Sequence, residues 1–370
     1  MDFAFTEEQT TITKVARELF GHRVTPERLT ELEADGASHD ATLWNDLAKA
    51  DLLGITLPES VGGSGGGFLE LGLLLAEVGY AVAPAPVYGT LLLGADPIAR
   101  HGTSAQRERY LPDVVTGGRL LTAGLMEPGR SDPTVPSTIA RRDGDHWRLE
   151  GTKELVPGGE SAHTVLVPAT TQDGDVGVFL VDVDAEGVDV QPVSTTHHQA
   201  HADLIFDGAA AERLGTPETG ADVVRDLYTR ALVGLCAVQL GVAERALRLA
   251  AGYTTKREQF GRPIGSFQAV QQRMADAFID VESIRWTTWH AAWLLSEGRS
   301  ALREARIAKF WASEAGARVV ATAQQVHGGI GIDVTYPLFR YFLWAKHHEL
   351  ALGSATSHLA SLGSSYAEPD

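Results

Sequence analysis

The hydrophobic period of this chain changes twice, and those two changes decide its architecture before any motif is weighed. From residue 6 to about 116, apolar residues recur at threes and fours. Ile12, Val15, Ala16 and Leu19 make one stripe and Leu43, Leu47, Ala50 and Leu53 another, which is the spacing of amphipathic helices. Around Leu120 the period becomes two. Residues 138–142, a turn at Asp143-Gly144-Asp145 and residues 146–151 read as a β-hairpin. Segments 164–169, 176–183, 188–193 and 203–206 are short β-branched runs divided by Gly, Asp or Pro. From about Glu218 the helical period returns in four long segments, near 218–256, 266–297, 300–327 and 337–363. The fold class expected is therefore α+β: an N-terminal α-helical domain over 1–119, a middle antiparallel β domain over 120–215, built as a small barrel or sandwich, and a C-terminal four-helix bundle over 216–370.

Several residues are expected to serve this architecture and nothing else. Phe267, Val270, Met274, Phe278, Val281 and Ile284 repeat at threes and fours and are expected in the bundle core. Trp286, Trp289, Trp293, Trp311 and Trp344 are read as core and interface packing. The single cysteine, Cys236, lies in an apolar helical run and is expected to be a small buried hydrophobe, so neither a disulfide nor a Cys-based zinc site can form within one chain. His197, His198 and His201 sit in a loop without a helical frame or carboxylates, and no metal is expected there. The glycine run 62–67 follows no clear strand and lacks a Lys-Ser/Thr ending, so it is expected to be a flexible loop rather than a phosphate cradle.

Charge narrows the ligands. Acidic residues outnumber basic ones 48 to 31, a formal net charge of −17, so non-specific binding to nucleic acid or to an anionic membrane surface is not expected. An anionic ligand needs a local basic site. The N-terminus has no basic n-region and no stretch approaches an apolar span of about 20 residues, so the expected location is cytoplasmic.

The densest run of chemistry is 257–271, Arg-Glu-Gln-Phe-Gly-Arg-Pro-Ile-Gly-Ser-Phe-Gln-Ala-Val-Gln. A helix is expected to end near Arg257, a Gly261-Arg262-Pro263 turn to break it, and a second helix to start with Ser266 as its N-cap. Arg257, Gln259 and Phe260 then gather at one helix end. A guanidinium takes a diphosphate bidentately, an amide reads a ribose or adenine edge, and a ring gives a flat apolar wall, which together suit a flavin dinucleotide. A plain surface helix hairpin is the alternative this segment alone leaves open.

With Leu57-Pro-Glu-Ser-Val-Gly-Gly, Met126-Glu-Pro-Gly-Arg-Ser-Asp and Gln325-Val-His-Gly-Gly-Ile-Gly, this segment makes the chain resemble the acyl-CoA dehydrogenase family along essentially its whole length. The resemblance implies FAD bound between subunits, the β domain of one holding the isoalloxazine while the bundle of its neighbour reaches the diphosphate and adenosine. On that basis Arg257, Gln259 and Phe260 are expected to touch a neighbour's FAD. Gln325, Gly328 and Gly329 look like the other half of the contact, because paired glycines let a backbone approach a diphosphate closely. A plain helix C-cap is the other reading of those glycines.

Two departures from the family bear on catalysis. Most members carry the base, a Glu, in the last long helix, before a Gly-Thr or Gly-Ser pair and after a Tyr-Pro…Arg stretch. Here that stretch is 336–340, and the position before Gly353-Ser354 is Leu352, which cannot take a proton. The alternative position used by some members, near Thr229 to Ala231, has no carboxylate either. Glu349 lies about one helical turn from Leu352, and a solvated Glu beside His347 and His348 is its plainer reading. In the β domain the family's Trp-Ile-Thr segment against the flavin ring is replaced by Leu155-Val156-Pro157, which removes an aromatic wall, a hydroxyl and a backbone N–H. Glu127, Ser131 and Asp132 keep the family's outline at the pocket mouth, or simply hold a turn.

The losses fall on groups that act within the chain's own site, while groups that act on a neighbour's flavin remain. The pattern is most similar to the base-lacking subunits of heteromeric actinobacterial acyl-CoA dehydrogenases of steroid side-chain degradation. It implies an α2β2 heterotetramer with a Glu-bearing partner that does the proton abstraction, catalytic residues none in this chain, and a shared FAD. Two other readings stay open: a flavin-dependent monooxygenase on the same fold, which dispenses with the base, and a structural homologue without cofactor.

Overall fold

The computed structural model describes residues 4–130, 132–144, 146–216 and 219–367; Ser131, Asp145 and Glu218, named above, lie outside the described residues. The N-terminal helices are α1 (Glu7–Arg23), α2 (Pro26–Asp35), α3 (Ala41–Lys49) and α4 (Phe68–Ala81), followed by a π-helical stretch at Tyr88–Ala95, α5 (Asp96–His101) and α6 (Ser104–Val115). Local chemistry sets their starts. Thr6 and Thr103 head capping boxes, each hydroxyl accepting an amide while Gln9 and Gln106 close the loop back to the cap, and the Asp40 carboxylate accepts the Thr42 and Leu43 amides.

The glycine run 62–67 is a loop as expected, but a hydrogen-bonded one. The amides of Ser64, Gly65 and Gly66 donate to the carbonyls of Gly54, Leu57 and Ile55, each at 2.9 Å, which ties the run down and uses the N–H groups a phosphate would need.

The middle of the chain is β1 (Leu121–Ala123), β2 (Ile139–Asp143), β3 (His146–Pro157), β4 (Thr164–Thr171), β5 (Val176–Asp182), β6 (Val188–Val193) and β7 (His201–Arg213). The expected hairpin is β2–β3, with Asp143 opposite His146. Antiparallel pairings run β2–β3–β7–β5–β4, and a short parallel pairing of β4 with β2 returns to the start, so these strands close into a small barrel. β1 adds parallel to β4 and β6 antiparallel to β7. Leu149, Val165, Val167, Phe179, Val181 and Leu204 fill the interior and are all 0% exposed.

The C-terminal part is α7 (Gly220–Lys256), a miniature hairpin of β8 (Glu258–Gln259) and β9 (Arg262–Pro263), α8 (Gln268–Ser296), α9 (Leu302–His327), α10 (Leu338–Leu350) and α11 (Ala355–Ala367). The fourth helical segment expected over 337–363 is thus two helices. Leu352 and Gly353 stand at φ of 55° and 106°, values no right-handed helix accommodates.

The elements form two compact units, one of Met1–Glu31, Gly72–Ala83 and Leu232–Asp370, the other of Leu32–Leu71 and Pro84–Ala231. In the first, α4 and α7 touch backbone to backbone. A Cβ on Gly79 would fall 1.9 Å from the Val238 carbonyl oxygen, and one on Gly241 1.9 Å from that of Ala76, so each helix supplies a glycine where the other's main chain passes. The buried line of α8 runs through Ala277, Val281, Ile284, Thr288, Ala291 and Leu295. Phe278 is one position off that line and is 57% exposed, so its expected place in the core is corrected, and Ile279 beside it is 61% exposed. Cys236 is buried as expected, and burial pushes its thiol up to about 12. No helix of the described residues is long and apolar enough to cross a membrane.

Candidate functional site

The segment 257–267 begins as α7 runs out. The Arg257 amide still bonds the Tyr253 carbonyl at 2.9 Å, and the Ile264 amide then donates to the Arg257 carbonyl at 2.7 Å. Between them Gln259 pairs with Arg262 across a two-residue turn whose central residues, Phe260 and Gly261, both have positive φ, 54° and 76°. Two positive values give the turn that matches a hairpin's twist, and a bulky aromatic in the first of those positions is strained. The expected direct helix–turn–helix is therefore corrected to helix, hairpin, short 3-10 turn, helix. Ser266 is not the N-cap of α8: that place is taken by Phe267 without a side-chain bond, and the Ser266 hydroxyl donates back to the Pro263 carbonyl at 2.7 Å.

The hairpin presents its side chains outward. Phe260 is 93% exposed and meets Phe267 edge-on at 6.2 Å, while the Arg262 guanidinium covers the Phe267 ring at 4.3 Å. Arg257 and Gln259 are exposed, and among the described residues Arg257 has no ion pair. The strained turn thus carries an uncovered ring, and an unpaired guanidinium stands just before it.

The second group sits at the end of α9. Gly328 is the helix C-cap at φ 63° and ψ −141°, a conformation only glycine adopts readily, and its amide bonds the Gln324 carbonyl. The C-cap reading is thus correct, yet it leaves the other open, since a Cβ at Gly328 or Gly329 would meet nothing within 4 Å. Both glycines and Gln325 are exposed. Gln325 borders a cleft of about 590 Å³ between α8 and α9, with Ala277 and Ala321 in its lining and Arg273 and Arg318 beside them. Arg318 is held by both oxygens of Asp280, at 2.6 and 3.0 Å. Ile332 and Val334, in the following loop, are 70% and 68% exposed.

Leu352 occupies the break between α10 and α11, and that break is fixed from inside. Lys309 of α9 is fully buried; its ammonium donates to the Ser313 hydroxyl at 2.7 Å, the Gly353 carbonyl at 2.9 Å and the Glu349 carbonyl at 3.3 Å. Burial lowers the Lys309 amine to about 8. The cation thereby caps the C-terminal end of α10, where carbonyls lack helical partners. From the other side His358 Nε2 donates to the Leu352 carbonyl at 3.0 Å, and burial, with the Lys309 charge adding to it, brings that imidazole down to about 4. Sequence reasoning missed both residues, because a lone Lys and His in helical stripes carry no motif. Glu349 is partly buried and pairs with Lys346 at 2.7 Å.

The alternative base region holds no carboxylate at Thr229, Arg230 or Ala231. The Thr229 hydroxyl donates to the Arg225 carbonyl at 2.7 Å. Arg230, buried, pairs with Asp226 at 2.9 Å and Asp96 at 3.4 Å and lies over the Phe68 ring at 5.3 Å. His101 and Arg100 also reach Asp226. Burial pushes Asp96 up, while at Asp226 the His101 and Arg230 contacts outweigh burial and hold the carboxyl below the usual range.

In the barrel, Leu155 stands at φ 51° in a register shift between Lys153 and Val156 against β7, and is 48% exposed. Its amide donates to Asp203 Oδ1 at 2.8 Å, and the Thr122 hydroxyl donates to the Pro157 carbonyl at 2.6 Å, so backbone groups of this bulge already have partners. Glu127, at the start of the Glu-Pro-Gly-Arg stretch, is an internal anchor. Its carboxylate accepts the buried Lys153 ammonium at 2.6 Å and the amides and hydroxyls of Ser137 and Thr138. Burial opposes the charge, but Lys153 and these donors hold the Glu127 carboxyl at about 2, and burial lowers Lys153 to about 8. Asp132 accepts the Thr134 amide at 2.9 Å, so both acids hold turns. His197 and His201 meet edge to face at 5.2 Å, and His201 Nδ1 donates to the Gln199 carbonyl, whereas His198 is exposed.

Comparison with known proteins places this arrangement. Family models of the acyl-CoA dehydrogenase N-terminal, middle and C-terminal domains match residues 6–118, 123–209 and 218–366. Acyl-CoA dehydrogenase FadE27 of Mycobacterium tuberculosis is 40% identical over 380 residues, covering 100% of this chain and 99% of its own length. A structure of a variant of the Tcur3481–Tcur3483 steroid acyl-CoA dehydrogenase superposes with a TM-score of 0.93 at 44% identity, covering 98% of each chain. The ChsE4–ChsE5 complex from Mycobacterium tuberculosis superposes at 0.94 with 39% identity over 100% of each chain.

Proposed function

The chain belongs to the acyl-CoA dehydrogenase family, and from that premise we propose that it is the non-catalytic subunit of a heteromeric, FAD-dependent enzyme that desaturates a CoA thioester. In this reading residues 1–119, 120–215 and 216–370 are its three domains, it acts in the cytoplasm, and its partner is a Glu-bearing subunit in an α2β2 assembly. The steroid side chain as acyl group rests on the similarity to the Tcur3481–Tcur3483 steroid enzyme.

One observation carries the proposal: the side chains suited to a dinucleotide are outward and uncovered, while the positions that would serve the chain's own site are internally satisfied or apolar. Arg257 would take the diphosphate, Gln259 and Gln325 the ribose and adenine edges, Phe260 a flat face, and Gly328-Gly329 would give the backbone its close approach. When bound, the flavin supplies hydride acceptance from the β-carbon as a carboxylate takes the α-proton. This chain offers no such carboxylate at Leu352 or at Thr229 to Ala231. Its part is to hold and orient.

The test is flavin stoichiometry. Purified alone, the chain is expected to hold little FAD and show no dehydrogenase activity; with its partner, about one FAD per heterodimer is expected. Arg257→Ala in the complex is expected to lower FAD content. Yellow, active protein from this chain alone sinks the proposal, and unaltered FAD in the Arg257→Ala complex favours the structural homologue without cofactor.

A further inference from the structure

We propose that His327 is a positioning residue that locks the two halves of the dinucleotide face, Arg257 with its hairpin and Gly328-Gly329, into one unit; this rests on the trans-contact reading above. His327 closes α9 and is 4% exposed. Its Nδ1 lies 2.7 Å from the Ala323 carbonyl. A carbonyl only accepts, so Nδ1 carries a proton, and burial lowers the imidazole, which favours its neutral form. Nε2 is then a lone pair, and it accepts the Tyr336 hydroxyl at 3.0 Å.

The ring's face completes the lock. It stacks on Tyr253 at 4.3 Å and 23°, and the Tyr253 carbonyl is the acceptor of the Arg257 amide. On the chain's other side the next residue is Gly328, and the turn folds back so that a Cβ on Gly331 would stand 3.2 Å from His327 Cβ, while Gln324 Nε2 donates to the Gly331 carbonyl at 3.2 Å. One imidazole thus joins the end of α7, the glycine turn and the approach to α10. Groups that bind one ligand from separate segments lose affinity when those segments move independently, so a shared buried ring preorganises them.

The experiment uses the complex with its partner and reads the FAD release rate by flavin fluorescence after dilution, alongside the melting temperature. His327→Ala is expected to speed release about tenfold, and Tyr336→Phe, which removes one hydroxyl, about threefold. His327→Phe keeps the stack and is expected to fall between them. In an Arg257→Ala background, His327→Ala should speed release by clearly less than the tenfold it gives alone, because part of its effect is exerted through the placement of Arg257 and only the Gly328-Gly329 part remains. Wild-type release from the His327 variants while Arg257→Ala releases fast overturns the proposal and leaves the trans contact standing, as does a fully additive double variant. Unchanged release from Arg257→Ala overturns both. If His327→Ala fails to assemble, His327→Phe and Tyr336→Phe decide by the same criteria.

Discussion

Two places in the C-terminal part of the chain share one backbone anomaly and treat it in opposite ways. Phe260-Gly261 and Leu352-Gly353 each put a bulky residue at φ near 55° ahead of a glycine at positive φ. Such a conformation costs on the order of 1 kcal/mol for a residue with a Cβ, so surroundings must impose it. At Leu352 the surroundings are internal: Lys309, Ser313 and His358 grip the flanking carbonyls. At Phe260 the backbone is set by the hairpin alone and the ring is left in solvent. The lesson is that strain answered from within belongs to the fold, whereas strain left uncovered is where the proposed contact with a partner's dinucleotide can be tested.

The comparison breaks or sharpens under substitution. The largest effect is expected from Lys309→Met, which leaves the Gly353 carbonyl and the Ser313 hydroxyl without their buried donor and should cost about 3 kcal/mol in urea unfolding, while Arg257→Ala should change the isolated chain's stability by less than about 0.5 kcal/mol. Equal losses at both would erase the distinction. Next comes pH. His358 in the fold titrates near 4, below its unfolded value near 6.5, so the unfolded chain binds the proton first and stability falls as pH drops through that window. A loss on the order of 2 kcal/mol between those values is expected, flattened in His358→Gln. A smaller effect of opposite sign is expected from Phe260→Gly, which relieves the φ strain and should stabilise the isolated chain by about 1 kcal/mol while weakening FAD retention in the complex. Leu352→Gly relieves the same strain but loses packing of a half-buried side chain, so a change within about 0.5 kcal/mol is expected. A gain at 352 as large as at 260 would mean the inner turn is as loosely held as the hairpin.

Much of this was legible in residues. The capping Thr, Gln and Asp residues act within three positions of themselves, and the β2–β3 hairpin follows from alternation and a turn, so both could be read locally. Arg257, Gln259 and Phe260 stand out because their chemistry is unusual together, and the trans contact to a dinucleotide is proposed on that chemistry. Phe278 misled because threes and fours describe two adjacent stripes of a helix equally well, and only the packed neighbours choose between them. Ser266 misled because its hydroxyl had a nearer acceptor in the hairpin, which was itself unseen.

By itself the sequence determined the order of helical and β segments, the absence of a carboxylate at 352 and at 229–231, and the side chains proposed to meet a dinucleotide, since period and functional group are local properties. Only the tertiary structure decided that the last helical segment breaks at Leu352, that Glu127 anchors Lys153, and that His327 joins Tyr253 to Tyr336. The physical reason is separation along the chain. Lys309 meets Gly353 44 positions away and Tyr253 meets His327 across two helices, and no local pattern encodes which distant donor will satisfy a turn.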